Sequence, residues 1–154
     1  MTIMRDPARW EGRRRAREAA LQILYQTEVG RQPFSEAART HVAMGQDAID
    51  LDDDSRAYAE ELARGSWEAT AVIDGYIGDA AENWRVERLA VIDRLLLRLA
   101  VHELLQHPAT PPRVVIDEAI ELARAYSGEE SAGFVNGVLD GVFRRLKEEG
   151  KVVD

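Results

Sequence analysis

"VERLAVIDRLLLRLAVHELLQ", residues 86–106, is apolar on most of its circumference when wound as a helix, and only scattered positions such as Asp93, Arg94, Arg98 and His102 are polar. A helix without a broad polar face has no side to turn toward water, so it belongs at the centre of a domain with other helices packed around it. The flanking sequence supplies that cover. Downstream, "HPATPPR" (107–113) breaks the helix, with Thr110 placed to cap and Pro111 or Pro112 in the first turn of "RVVIDEAIELARAY". The buried stripe of that helix is Val115, Ile116, Ala119, Ile120, Ala123 and Tyr126, and Ser127 with Gly128 closes it. The last element, "EESAGFVNGVLDGVFRRLKEE", buries Phe134, Val135, Val138, Leu139, Val142, Phe143 and Leu146.

Upstream, "DDDS" (52–55) offers several N-cap residues with negative charge at the favourable helix end. Tyr58, Leu62, Ala69, Val72, Ile73, Tyr76 and Ile77 then continue at helical spacing as one helix. Pro33 opens a weakly amphipathic helix, "PFSEAARTHVAMGQDAI". The first helix runs from Arg13 to Val29 with Ala16, Ala20, Ile23, Leu24 and Thr27 on its buried face, and Gly30 ends it. No run alternates apolar and polar residues over the length of a strand. The fold class is therefore all-α, with six or seven helices. Residues 79–85, "DAAENWR", mark the junction between two groups: a flexible arm at 1–12, an N-terminal helical subdomain at 13–80, a C-terminal one at 81–147 and a tail at 148–154.

The 154 residues suffice for one domain, or two small halves, folding without staples. Cysteine is absent, which removes disulfides, thiol nucleophiles and thiolate ligands together. The N-terminus lacks the apolar core of a secretory signal, and no run of about 18 apolar residues occurs. A cytoplasmic protein without membrane association is expected. The formal charge is −8 and the pI about 5.0, so the whole surface does not suit nucleic acid. The head is the exception. The first 17 residues hold six arginines against Asp6 and Glu11, a local +4 that leaves the other 137 residues near −12.

Arg13, Arg14, Arg15 and Arg17 thus stand at a helix start that favours carboxylates. Their planar guanidinium forks suit bidentate phosphate and base contacts, and Tyr25, eight residues after Arg17 on roughly the same side, extends such a surface. A solvated basic head paired loosely with the protein's own acid is the plainer reading. His41, His102 and His107 lack ligand spacing, so no metal or other cofactor is expected. No nucleophile elbow, phosphate loop or dinucleotide fingerprint is present. Asp117, Glu118 and Glu121 of "DEAIE" are placed on a solvated face. Gly133, Gly137 and Gly141 recur every four residues in the last helix, at a cost on the order of 3 kcal/mol against alanine. Intimate helix packing would offset that cost; alternatively, with Ser131 and Asn136, they let a ligand strand or partner approach.

"RRRAREAALQILYQ", "VIDRLLLRLAVHELL" and "VVIDEAIELARAYSGEESAGFVNGVLD", in this order and spacing, resemble the NusB family of bacterial transcription antitermination factors from about residue 12 to residue 146. Residues 31–85 match only in helical pattern and length. The resemblance implies an all-α fold of two subdomains, and a protein that joins NusE, a small-subunit ribosomal protein, to bind single-stranded boxA RNA of ribosomal RNA operon leaders. The pair would act on the RNA polymerase elongation complex with other Nus factors, promoting read-through. It implies RNA contacts at Arg13, Arg14, Arg15 and Arg17 and at Glu130, Ser131 and Phe134, and a NusE face including Tyr25 and Asp93. Some relatives carry Asp at the position of Glu130 and Lys at that of Gly133, which implies weak binding alone and a larger dependence on NusE. Members differ in self-association, so a homodimer stays open. NusB-like domains also occur fused to ribosomal RNA cytosine methyltransferases, but the length and the missing cysteine argue against that enzyme. A helical protein adaptor without specific RNA binding is the alternative.

Overall fold

The computed structural model describes residues 7–43, 51–82 and 84–153. Among them are seven α-helices, one 3₁₀ turn and no strand: α1 (Pro7–Glu28), α2 (Phe34–Ala43), α3 (Asp53–Glu68), α4 (Thr70–Ala80), the 3₁₀ turn Val86–Arg88, α5 (Val91–Gln106), α6 (Pro112–Ser127) and α7 (Glu129–Glu148). None of these helices is long and apolar enough to cross a membrane. The chain divides into two compact units, Met1–Arg64 and Gly65–Asp154. The sequence puts the junction at 79–85 instead. The reason lies in α4, whose buried Ile73, Tyr76 and Ile77 belong to a helix packed on α5 and α7.

In the first unit α1 packs on α2 and buries Ala16, Ala19, Ala20, Leu21, Ile23 and Leu24. Ala16 and Ala19 meet Ala59 of α3 in an alanine contact flanked by Leu51 and Tyr58. Asp52 caps α3 as the "DDDS" pattern anticipates: its Oδ1 accepts the Ser55 N–H at 2.8 Å. That bond, first of all, holds the Asp52 carboxyl below its usual range. Gly30 is required by close approach, since a Cβ there would lie 2.7 Å from the Gln26 carbonyl oxygen. The anticipated helix over 33–49 is observed at Phe34–Ala43, and residues 44–50 lie outside the described residues.

In the second unit α5 is the centre, packed against α4, α6 and α7, with Leu95, Leu96, Leu97, Leu99, Val101 and Leu104 buried. It starts later than the apolar pattern suggests. Val86 and Leu89 are buried from a 3₁₀ turn and an extended link, and Arg94 Nη1 donates to the Glu87 and Leu89 carbonyls to hold that link. The long helix read across residues 55–77 is likewise interrupted at Ala69. Thr70 Oγ1 donates to the Trp67 carbonyl at 2.8 Å and to that of Ser66 at 3.1 Å, a side-chain bond that competes with regular helix. Arg98 of α5 forms a bidentate pair with Asp74 of α4, both bonds 2.8 Å. Between α6 and α7 a single residue turns the chain: Gly128, at φ 97°, donates its N–H to the Arg124 carbonyl and accepts the Ala132 N–H.

The glycine stripe of α7 resolves into two environments. Gly141 faces Ala80, and a Cβ there would stand 3.2 Å from the Ala80 Cβ; Gly133 and Gly137 have open space within 4 Å. Gly137→Ala should therefore raise stability by about 1 kcal/mol through helix propensity. Gly141→Ala should give less or lower stability, and calorimetric melting of both variants checks the contrast. Equal gains would contradict the packing described.

The end of the second unit is fastened by a polar clasp. Tyr76 Oη donates to Glu149 Oε1 at 2.7 Å and accepts from Lys151 Nζ at 2.6 Å, while the Arg145 guanidinium stacks 4.8 Å from the Tyr76 ring. The Tyr76 hydroxyl chiefly lowers the Glu149 carboxyl below its ordinary 4.5. A folded-state value below the unfolded one adds stability above 4.5 that is lost as pH falls through the folded value. Tyr76→Phe should accordingly be less stable than the parent at pH 7, with the difference narrowing on acidification below pH 4.5. Urea unfolding at a series of pH values measures it.

Candidate nucleic-acid interface

The arginine head does not begin α1. That helix starts at Pro7, so Pro7–Gly12 is helical rather than part of an arm, and Arg13 lies beyond the first turn. The unpaired N–H groups and the main dipole effect are confined to that first turn, so the arginines escape the unfavourable end that the sequence pattern suggests. Sequence periodicity misses these residues because Pro7–Gly12 carries no apolar stripe.

The four arginines fall into two kinds. Arg13 is held within the first unit: its guanidinium carbon lies 3.7 Å from the Tyr58 ring centroid, and Nη1 lies 3.3 Å from Asp54 Oδ2. Gly12 allows this, since a Cβ there would sit 2.5 Å from Ser55 Oγ. Arg17 is buried at 7% exposure. Arg14 and Arg15 are exposed on the outer side of α1, away from Ala16, Ala19 and Ala20, and Arg15 Nε comes within 3.7 Å of Glu11. Tyr25, 39% exposed, aligns with Arg14 rather than with buried Arg17, because eleven residues are close to three full turns.

In the second unit the start of α7 meets the start of α5. Ser131 and Asp93 are both buried, and Ser131 Oγ donates to Asp93 Oδ1. Asp93 stands in the first turn of α5, where a carboxylate is favoured. The hydroxyl expected to meet RNA and the carboxylate expected to meet NusE are thus bonded to each other inside the fold. Glu130 is exposed in the first turn of α7. Phe134 is partly buried and meets Trp84 in a T-shaped contact, ring centroids 6.2 Å apart and planes at 76°. Trp84 is 58% exposed. Apolar periodicity gives it no role within the junction "DAAENWR", although an aromatic in so polar a loop is itself a signal.

His102 is buried with its ring 5.8 Å from that of His107, edge to face, and the side chain of His41 lies outside the described residues. Asp117 and Glu121 are exposed as anticipated, but Glu118 is buried at 4%. It lies three residues after buried Val115 and so flanks the inward stripe of Val115, Ala119 and Ala123.

Residues 14–144 match the NusB family. The chain is 42% identical over 139 residues to the transcription antitermination protein NusB of Koribacter versatilis, covering 90% of this chain and 93% of that protein. It is 45% identical over 130 residues to that of Sorangium cellulosum, covering 84% and 90%. Among solved structures, T. maritima NusB superposes with a TM-score of 0.77 at 36% identity, covering 91% of this chain and 97% of that one. The antitermination factor NusB crystallised with NusE and dsRNA is similar at a TM-score of 0.78 and 26% identity, covering 88% and 98%. The chain belongs to the NusB family, a family of transcription antitermination proteins and not of enzymes.

Proposed function

We propose that this antitermination factor binds the boxA element of ribosomal RNA operon leaders together with NusE, and that the bound pair promotes read-through by the RNA polymerase elongation complex with other Nus factors. The observation that carries the reading is the exposure of Arg14 and Arg15, with Tyr25 in line with Arg14, on a chain whose total charge is −8. A cationic strip on an acidic protein draws a polyanion to one place and repels it elsewhere. The similarity to a NusB crystallised with NusE and dsRNA supports both partners.

The arginines divide the work. Arg14 and Arg15 contact phosphates or stack on bases, while Arg13, anchored by Asp54 and Tyr58, orders the helix that presents them. Arg17 supports the same helix from its buried side. Glu130 and Phe134 complete the RNA contacts in the second unit. Ser131 acts there by holding Asp93 at the helix start that faces NusE.

The test is fluorescence anisotropy of labelled boxA RNA and a scrambled control, with and without NusE, at two salt concentrations. The intact element should bind more tightly, and NusE should enhance the difference. Absence of discrimination in either condition would leave a protein adaptor whose arginines meet an acidic protein. The Arg14→Ala, Arg15→Ala double variant should keep its helicity, bind less tightly and reduce the slope of log affinity against log salt by about 1.4, from roughly 0.7 per phosphate contact on a single strand. An unchanged slope would remove the arginines from the interface.

A further inference from the structure

We propose that Trp84, backed by Phe134, is a stacking platform that receives one base of the single-stranded RNA; the inference rests on the RNA-binding reading above and adds a contact it does not contain. Trp84 is the most exposed tryptophan described, at 58%. An exposed indole offers a flat apolar face with a polar N–H, and its surroundings narrow what it can receive. In a T-shaped pair one ring presents an edge, so the contact with Phe134 fixes the indole while leaving aromatic surface open. The backbone is fixed too, with the Trp84 N–H donating to the Ala81 carbonyl at 2.9 Å.

The surface beside this pair is polar and low. Arg85, Glu87 and Arg88 are exposed on the chain following Trp84. On α7 the positions next to Phe134 and one turn on are Gly133 and Gly137, with no atom within 4 Å of where a Cβ would stand. A partner protein that buried Trp84 as an anchor would be met by a broader apolar patch, and none adjoins it among these residues. A planar base needs only a rigid aromatic face with headroom, and every base has a π-face to offer. Arg85 and Arg88 stand near enough in sequence to meet the flanking phosphates, with Glu87 keeping the local charge nearly balanced. Stacking rather than charge therefore supplies the attraction.

That distinction makes the platform testable apart from the arginine face. In anisotropy titrations with boxA RNA and NusE, Trp84→Ala should bind about tenfold more weakly at both salt concentrations, the scale of one lost base–aromatic stack, with the salt slope unchanged. Trp84→Phe, which keeps an aromatic ring against Phe134, should recover most of the affinity and melt at the temperature of the parent. A protein with Trp10→Phe and Trp67→Phe retains Trp84 as its only tryptophan; its emission should be quenched on saturation with RNA. Unchanged affinity and emission, in a parent that discriminates boxA from its scrambled control, would overturn the platform and leave the RNA reading standing. Loss confined to NusE binding or to self-association would also overturn it, assigning Trp84 to a protein contact. Failure of the parent itself to discriminate would overturn both.

Discussion

The second unit depends on one constraint: α5 has no face it can leave in water. Ten of its 16 residues are buried, including Asp93, His102 and Glu103. Three helices, α4, α6 and α7, pack around it to provide the cover. Its polar residues are the points where that cover is oriented. Arg98 grips Asp74 on α4, Asp93 accepts from Ser131 on α7, and Arg94 holds the link that precedes the helix. Apolar burial is non-directional and would tolerate rotation of these helices about one another; paired charges and buried hydrogen bonds do not. Hydrophobicity thus dictates that α5 is central, and its few polar residues dictate which neighbour lies on which side.

Periodicity made most of this readable beforehand. Most of the apolar stripe residues of α1, α6 and α7 are buried where the spacing puts them, because an amphipathic helix in water has only one stable way to face a core. Tyr126, placed on the α6 stripe, is however exposed at the helix end, and Phe134 and Phe143 of α7 are only partly buried. The readings that differ share a cause. Pro7–Gly12 is helical without a stripe, Thr70 interrupts a pattern that runs on past it, and Val86 and Leu89 are buried without belonging to a helix. Apolar spacing reports which residues are buried and leaves open whether the backbone carrying them is continuous helix. Glu118 shows the converse limit, since a carboxylate placed on the solvated face by its type lies inward by its position.

The candidate site was legible as a set of residue types and illegible as an arrangement. Four arginines in sequence look equivalent, yet a helix turns by about 100° per residue, so residues 13–17 span a full turn and cannot all share one environment. Arg13 finds Tyr58 and Asp54, Arg17 is buried, and Arg14 and Arg15 face outward. The apparent conflict between clustered cations and a helix N-terminus also dissolves, because α1 has begun before they are reached. What remains is a short cationic strip on rigid helix, whose side chains start from a fixed backbone. Ordering a contact surface before binding lowers the entropy lost on binding, and this is where the internal pairing of Arg13 matters for function.

A cationic strip by itself does not read sequence. Phosphate contacts carry no base identity, and their strength varies with salt for any RNA. Selection of one element over a scrambled one requires surfaces that meet bases closely and at fixed positions. In the second unit the start of α7 has that character: Ser131 and Asp93 lock it to α5, Phe134 and Trp84 brace each other, and the glycines beside them leave the helix surface low. Three glycines in one helix weaken it, and only Gly141 is explained by packing on Ala80. The propensity lost at Gly133 and Gly137 has no structural return among the described residues. A site that must admit a base against the helix gives those two glycines the reason that folding alone does not.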